Sequence, residues 1–86
     1  MARIQHLEER DGRWYFLFRP EAGESFDSIL RLFKWCLPVG AREWHEDITR
    51  WSVAISEENQ GRLAVAFHNF TSEVQILKNQ LSLFAL

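Results

Sequence analysis

The sequence predicts one α+β domain of order ββαββα, with a small antiparallel four-stranded sheet, two helices packed on one face and a long C-terminal helix. Two hairpin patterns are each followed by a helical periodicity, which is the alternation that this order requires. The length of 86 residues accommodates a single domain. A hydrophobic content of 47%, with seven phenylalanines and four tryptophans, excludes a disordered chain.

Residues 3–19 are predicted to form the first β-hairpin. Asp11-Gly12 suits a two-residue turn, because both central positions of such a turn need a positive φ angle. This turn pairs Arg10 with Arg13 and, further along the strands, Gln5 with Phe18. One face of the second strand then carries Trp14, Phe16 and Phe18, and the other carries Tyr15, Leu17 and Arg19.

Residues 25–37 are predicted to form the first helix, with Ser25 as its N-cap and Pro38 just beyond its end. Its inward face consists of the apolar residues at helical spacing, namely Phe26, Ile29, Leu30, Phe33 and Leu37. Leu32 and Trp35 lie on a second flank of the helix. They either pack beneath the C-terminal helix or are exposed for a partner.

Residues 41–55 are predicted to form the second hairpin, around a polar turn of residues 46–49. If His45 opposes Arg50, then Trp44 lies directly opposite Trp51, and the two indoles stabilise the hairpin as a cross-strand pair. Both tryptophans then face the helices and are predicted to belong to the core. The other face of this hairpin carries Glu43, His45, Arg50 and Ser52.

Residues 57–84 are predicted to form the long C-terminal helix, with Ser56 as its N-cap. From Leu63 the apolar residues follow the heptad spacing of a coiled-coil seam, through Phe67, Phe70, Val74, Leu77, Leu81 and Phe84. A straight helix of this span would be ~42 Å long at ~1.5 Å per residue, against ~20 Å for a typical strand. It therefore either bends near residues 71–72, with Ser72 as a second N-cap, or projects and pairs with another chain.

We favour the projecting helix, and we therefore predict self-association as a dimer or docking on the helix of a partner protein. The residues predicted to form this interface are Phe70, Val74, Leu77, Leu81 and Phe84 on the C-terminal helix and Leu32 and Trp35 on the first helix.

No residue pattern indicates catalysis, so we predict a non-enzyme without cofactor, metal ion or small-molecule substrate. His45-Glu46-Asp47 resembles an acid–base cluster, but the three residues are predicted to lie in a solvated hairpin turn, where side chains diverge. Cys36 is the single cysteine and is expected to be a small core residue of a protein in the reducing cytoplasm. No stretch reaches transmembrane length, so no membrane association is expected.

Between about residues 14 and 70, an apolar strand is followed by a helix ending in Leu-Pro-x-Gly and by a hairpin with Arg-x-Trp, a polar turn and Thr-Arg-Trp-Ser-Val. This succession resembles the HARP domain, an accessory module of annealing helicases. HARP domains recognise structured DNA at junctions between single and double strands. The resemblance implies such a role for four basic residues, namely Arg42, Arg50, Arg31 and Lys34.

Two functions are thus predicted on different grounds. The surplus apolar helix favours a protein-interaction or oligomerisation module, which is our preferred hypothesis. The alternative is a small HARP-like accessory domain that binds structured or single-stranded DNA through arginines, with Trp14 or Trp35 stacking on an unpaired base. The formal charge of −2 gives no general attraction to nucleic acid, so such binding would require a local arginine cluster.

Overall fold

The computed structural model describes the backbone of residues 2–84 and the side chains of residues 2–80. The elements in chain order are β1 (Arg3–Arg10), β2 (Arg13–Arg19), α1 (Phe26–Cys36), β3 (Arg42–His45), β4 (Arg50–Ala54), α2 (Glu57–Ala66) and α3 (Phe70–Phe84). The strands form one antiparallel sheet in the order β1-β2-β4-β3, which confirms the predicted α+β fold with its four-stranded sheet.

Local turn chemistry sets the register next to each turn. Asp11 and Gly12 have φ angles of 52° and 74°, as the predicted two-residue turn requires, and Arg10 pairs with Arg13. In the second hairpin, Trp44 pairs with Trp51, which confirms the predicted register. The predicted N-caps are also confirmed, because the hydroxyls of Ser25 and Ser56 accept hydrogen bonds from the first turns of α1 and α2.

The far end of the first hairpin differs from the prediction, because β1 contains a β-bulge between Gln5 and Glu8. His6, inside the bulge, has a φ angle of 55°. Phe18 therefore pairs with Ile4 instead of Gln5. The extra residue turns Ile4 onto the apolar face of the sheet, where its side chain is buried. The predicted unbulged register would have left Ile4 in solvent.

The core lies between one face of the sheet and all three helices. Phe33 of α1 contacts Phe16 and Trp51 with ring centroids 5.9 and 4.9 Å apart, and Phe70 of α3 meets Trp14 at 5.1 Å. The buried apolar residues are Ala2, Ile4, Trp14, Phe16, Phe18, Ile29, Phe33, Leu37, Val53, Leu63, Ala66, Phe67, Phe70 and Val74. The helices leave the opposite face of the sheet uncovered within the described part of the chain.

The predicted single helix over residues 57–84 is broken between α2 and α3, and the break lies at residues 67–69 instead of 71–72. Phe67 leaves the helix with an extended backbone, φ −129° and ψ 114°, and forms a parallel β-bridge with Ala2. The carbonyl of Asn69 accepts the first hydrogen bond of α3, from Glu73 N at 3.0 Å, so Ser72 is inside the helix and is no N-cap. The break lets Phe67 and Phe70 both enter the core fully buried.

Candidate nucleic-acid interface

The face of the sheet opposite the helices is called the open face here. Side chains alternate between the two faces of a strand, and the neighbours of the open-face residues point into the core. The side chains of the open face belong to Arg3, Gln5, Glu8, Arg10, Arg13, Tyr15, Leu17, Arg19, Glu43, His45, Arg50 and Ser52.

The open face is positively charged although the chain has a formal charge of −2. It carries five of the eight arginines but two glutamates, a net charge of +3 with His45 neutral. Arg3 lies directly opposite Arg19, and Arg10 lies directly opposite Arg13. Like charges at directly opposed positions destabilise a sheet, and a bound anion would remove that repulsion.

Tyr15 lies near the middle of the open face with its ring only half-buried. The His45 ring lies beside it, with centroids 5.2 Å apart and planes tilted by 43°. The guanidinium carbon of Arg10 lies 4.8 Å from the centroid of the tyrosine ring, within cation–π distance. The open face thus combines cations with an aromatic pair, which is the combination that single-stranded nucleic acid requires.

Ser52 anchors two of these side chains from below. Its Oγ accepts a hydrogen bond from Arg13 Nε at 2.9 Å and shares one with His45 Nε2 at 2.7 Å. His45 is the last residue of β3, as its predicted pairing with Arg50 requires, and it is half-buried, so it does not lie with Glu46 and Asp47 in the solvated turn.

The close Ser52–His45 pair does not have the geometry of a catalytic dyad. Ser52 is fully buried, so its hydroxyl cannot reach a substrate. The nearest carboxylate, Glu43 Oε2, lies 3.8 Å from the same Nε2 atom that bonds Ser52. An orienting carboxylate would have to hold the other ring nitrogen. The network therefore positions Arg13 and His45 on the open face.

The four basic residues that the HARP resemblance singled out do not share one face of the sheet, which corrects the predicted site. Arg42 is on the helix side of the sheet, where its Nε donates to the Leu37 carbonyl at 3.1 Å and caps the end of α1. Arg31 and Lys34 are exposed on α1, also on the helix side. Only Arg50 lies on the open face, and its Nη1 donates to the Thr49 carbonyl at 3.1 Å.

The prediction that Trp14 stacks on an unpaired base is also wrong, because Trp14 is buried in the core. Sequence reasoning missed the residues that form the open face, namely Arg3, Arg10, Arg13, Tyr15 and Arg19. The signal was present in the first hairpin, where Arg10, Arg13 and Arg19 fall on the strand face away from Trp14, Phe16 and Phe18. It became visible only when the helices were known to cover one face.

Two of the five residues of the predicted protein interface on α3 are part of the core. Phe70 and Val74 are buried within the chain, so neither can be a contact surface for a partner. Leu77 and Leu32 are half-buried, whereas Trp35 is 86% exposed. The side chains of Leu81 and Phe84 lie outside the described residues.

A shallow apolar groove of about 340 Å³ runs between α1 and the second hairpin and is lined by Phe26, Leu30, Trp44 and Trp51. Trp44 is 40% exposed and Phe26 is 49% exposed, so the predictions that both lie in the core are wrong. The Trp44 indole N–H donates to Glu46 Oε2 at 2.6 Å. The neighbouring β3 is an edge strand with no fifth strand beside it in the described sheet.

Among the other titratable side chains of the described residues, His68 Nε2 pairs with Glu21 Oε1. Within residues 2–80, no three His, Cys, Asp or Glu side chains lie close enough together to hold a metal ion. Burial raises the pKa of the Cys36 thiol, which disfavours the reactive thiolate. Among the helices of the described chain, none combines the length and the apolar character that crossing a membrane demands.

Comparisons of the chain with protein-family models, with curated proteins and with solved structures found no match.

Proposed function

We propose that the open face binds single-stranded nucleic acid, with arginines contacting phosphates and Tyr15 stacking on an unpaired base. The observation that carries the proposal is the net positive charge of this one uncovered face on a chain that is acidic as a whole. Guanidinium groups bind phosphate oxygens in a bidentate manner, which makes arginine well suited to this contact.

The arginines are spaced to follow a nucleic-acid backbone along the first hairpin. The Arg3/Arg19 pair and the Arg10/Arg13 pair stand at opposite ends of β1 and β2. Six residues of extended chain separate Arg13 from Arg19, a distance of ~20 Å at ~3.4 Å per residue. Tyr15 lies between these pairs, so phosphates at both ends would bring an intervening base over its ring.

The shape of the surface favours single strands over a duplex. Duplex DNA is read mainly by a helix inserted into the major groove, whereas an open four-stranded sheet with exposed aromatic rings suits unpaired bases. Arg10 stacks on Tyr15 and pairs weakly with Glu8 at 3.8 Å, and both side chains are more than half exposed. The Arg10 side chain can therefore move away from the Tyr15 ring, or stack on the far side of the bound base. The resemblance to the HARP domain supports the same class of ligand.

Fluorescence anisotropy with labelled single-stranded DNA and RNA of 12 nucleotides, and with a duplex of equal length, tests the proposal. We expect dissociation constants on the order of 10 μM at low salt for the single strands, and weaker binding of the duplex. Four to five phosphate contacts predict a slope of log K against log salt of roughly −3. Absence of binding to either single strand at low salt would contradict the proposal.

Paired variants locate the site. The double variant Arg3→Gln/Arg19→Gln removes two open-face cations and should reduce the salt slope by about 1.4, because each phosphate contact contributes ~0.7. The control Arg31→Gln/Lys34→Gln makes the same charge change on α1 and should leave affinity and slope unchanged. If the α1 variant loses binding and the open-face variant does not, the site lies on the helix side.

A second pair of variants tests the stacking. Tyr15→Leu should weaken binding by roughly 5- to 150-fold, since one base–aromatic stack is worth about 1–3 kcal/mol. Tyr15→Phe keeps the ring and should bind like the wild type. Equal affinities for all three proteins would leave the arginines as the whole site.

A protein-interaction module is the second candidate function. It is favoured by the apolar groove, which has the exposed Trp44 at its rim. Exposed clusters of large apolar residues commonly mark contact surfaces.

A further inference from the structure

The edge strand β3 has a free side with an apolar side chain, Trp44, near its centre. An edge strand exposes unpaired N–H and C=O groups that template the addition of another strand, and natural edges are protected by proline, by charged side chains, by a bulge or by being very short. The four residues of β3, Arg42–His45, contain no proline, lysine or bulge, and the two charged residues, Arg42 and Glu43, have opposite signs, so they repel only strands that carry a like charge opposite them. Its central side chain, Trp44, leaves an apolar groove beside it open to solvent.

The sequence of this edge is complementary to itself. When two copies of the segment from Arg42 to Glu46 are aligned antiparallel with Trp44 opposite Trp44, Arg42 lies opposite Glu46 and Glu43 lies opposite His45. Directly opposed residues share one face of a sheet, so this register places the indoles and the Arg42–Glu46 pairs on the helix side. A basic residue then meets a carboxylate at each position around a central aromatic pair.

We propose that a second copy of this chain covers the groove, by antiparallel pairing of β3 with β3 about a two-fold axis at Trp44. The eight-stranded sheet that results is isologous and closed, because each copy uses its same edge. Each Trp44 packs against the Phe26 and Leu30 side chains of the partner copy as well as against its own groove.

The spacing of the helices leaves room for this arrangement. The contacts of Phe33 with Phe16 and Trp51 centre α1 above β2 and β4. With strands ~4.8 Å apart, α1 lies ~10 Å from the proposed axis, so the two copies of α1 are ~19 Å apart. Helices in direct contact are roughly 8–10 Å apart, so the two helices do not collide and the gap between them has space for both indoles.

The contact is small, and its expected strength follows from that. One short strand and one groove bury less than the ~800 Å² per partner of a standard stable interface. We therefore expect a dissociation constant on the order of tens of micromolar, visible only at high protein concentration. The two-fold axis is perpendicular to the sheet, so both open faces lie on the same side of the dimer. This inference does not depend on nucleic-acid binding and is tested without nucleic acid.

Sedimentation velocity of the full chain from about 1 to 500 μM measures the association, with circular dichroism to confirm that every variant folds. The wild type should move from monomer to dimer across this range. Trp44→Lys places two ammonium groups face to face at the axis and should be monomeric throughout, with at least a 10-fold weaker association. The control Trp35→Lys changes a more exposed tryptophan on the outer side of α1 and should dimerise like the wild type.

A charge variant tests the strand register, and it still tests the dimer if Trp44→Lys fails to fold. Glu43→Lys places a lysine opposite His45 of the second copy and should weaken the dimer, whereas Glu57→Lys makes the same charge change on exposed α2 and should not. A monomeric wild type at 500 μM would overturn the proposal. A dimer that survives both β3 variants but is lost in Ile76→Lys would assign the contact to the exposed side of α3 instead.

Discussion

The two edges of the sheet differ in whether another segment of the chain lies against the edge strand. At the β1 edge, the segment between α2 and α3 lies against the strand, with Phe67 bridged to Ala2 and the Asn69 side chain bonded to Ile4. At the β3 edge, no segment within the described residues lies alongside the strand. The β1 edge is therefore bonded by the chain itself near Ile4, whereas the β3 edge is available to another molecule.

The Asn69 side chain bonds to β1 at Ile4 in the way that the backbone of a neighbouring strand would. Its Oδ1 accepts from Ile4 N at 2.9 Å and its Nδ2 donates to Ile4 O at 3.1 Å, so one amide side chain satisfies both backbone groups of a buried residue. A primary amide side chain offers the donor and acceptor of a peptide group in the same plane. A single side chain can thus satisfy the backbone N–H and C=O groups of an edge residue that a neighbouring strand would otherwise satisfy.

The largest expected effect comes from opening the closed edge. Asn69→Leu leaves the N–H and C=O of buried Ile4 without partners, at about 1–3 kcal/mol for each group, so the free energy of unfolding should fall by roughly 2–5 kcal/mol. Urea denaturation measures this loss. The control Asn79→Leu, at an exposed position on α3, should change stability by less than about 0.5 kcal/mol. Equal effects of the two substitutions would show that the hydrogen bonds between the Asn69 side chain and the Ile4 backbone contribute nothing to the free energy of unfolding.

An intermediate effect separates the two tryptophans at the open edge. Trp51 is half-buried and its ring centroid is 4.9 Å from that of Phe33, whereas Trp44 is 40% exposed at the groove. Trp51→Ala should lower the free energy of unfolding by about 2–3 kcal/mol, somewhat less than the ~3–5 kcal/mol of a fully buried tryptophan. Trp44→Ala should cost under ~1 kcal/mol in the monomer at low concentration. The reverse ranking in thermal or urea unfolding would mean that Trp44 is part of the core.

The smallest expected effect concerns the bulge that shapes the closed edge. His6 has a φ angle of 55°, which a β-branched residue adopts only with strain. His6→Val should therefore destabilise the domain by about 1–2 kcal/mol, while His6→Gly, which tolerates this φ angle, should stay within about 0.5 kcal/mol of the wild type. If valine were as stable as glycine at this position, β1 would have to lose the bulge and shift its register.

Much of the fold could be predicted because the signals are local. The turn at Asp11-Gly12 and the caps at Ser25 and Ser56 depend on neighbouring residues, and all three are confirmed. The Trp44–Trp51 register is also confirmed, because the hairpin joins strands that are close in sequence. The same local reasoning failed at the heptad seam, where Phe67 and Phe70 are three residues apart but belong to different sides of a helix break.

The candidate site was harder to predict than the fold. Tyr15 and Arg19 were correctly separated from Trp14 by strand alternation, yet whether their face is open depends on where three helices pack. Arg42 shows the opposite error, because a basic residue beside a tryptophan in the sequence turned out to cap α1 through the Leu37 carbonyl. Charge counted along the chain does not reveal a patch assembled from β1, β2 and β4.

The sequence by itself determined the strands, the first helix, the turns and the apolar face of the sheet, because these follow from short-range periodicity and capping. Only the tertiary structure decided the bulge in β1, the break at residues 67–69, the closed and open edges, and the gathering of five arginines on one face. The physical reason is that these features rest on contacts between distant residues. Ile4 and Asn69, which are hydrogen-bonded at the β1 edge, are 65 positions apart in the chain, and no local sequence pattern predicts their contact.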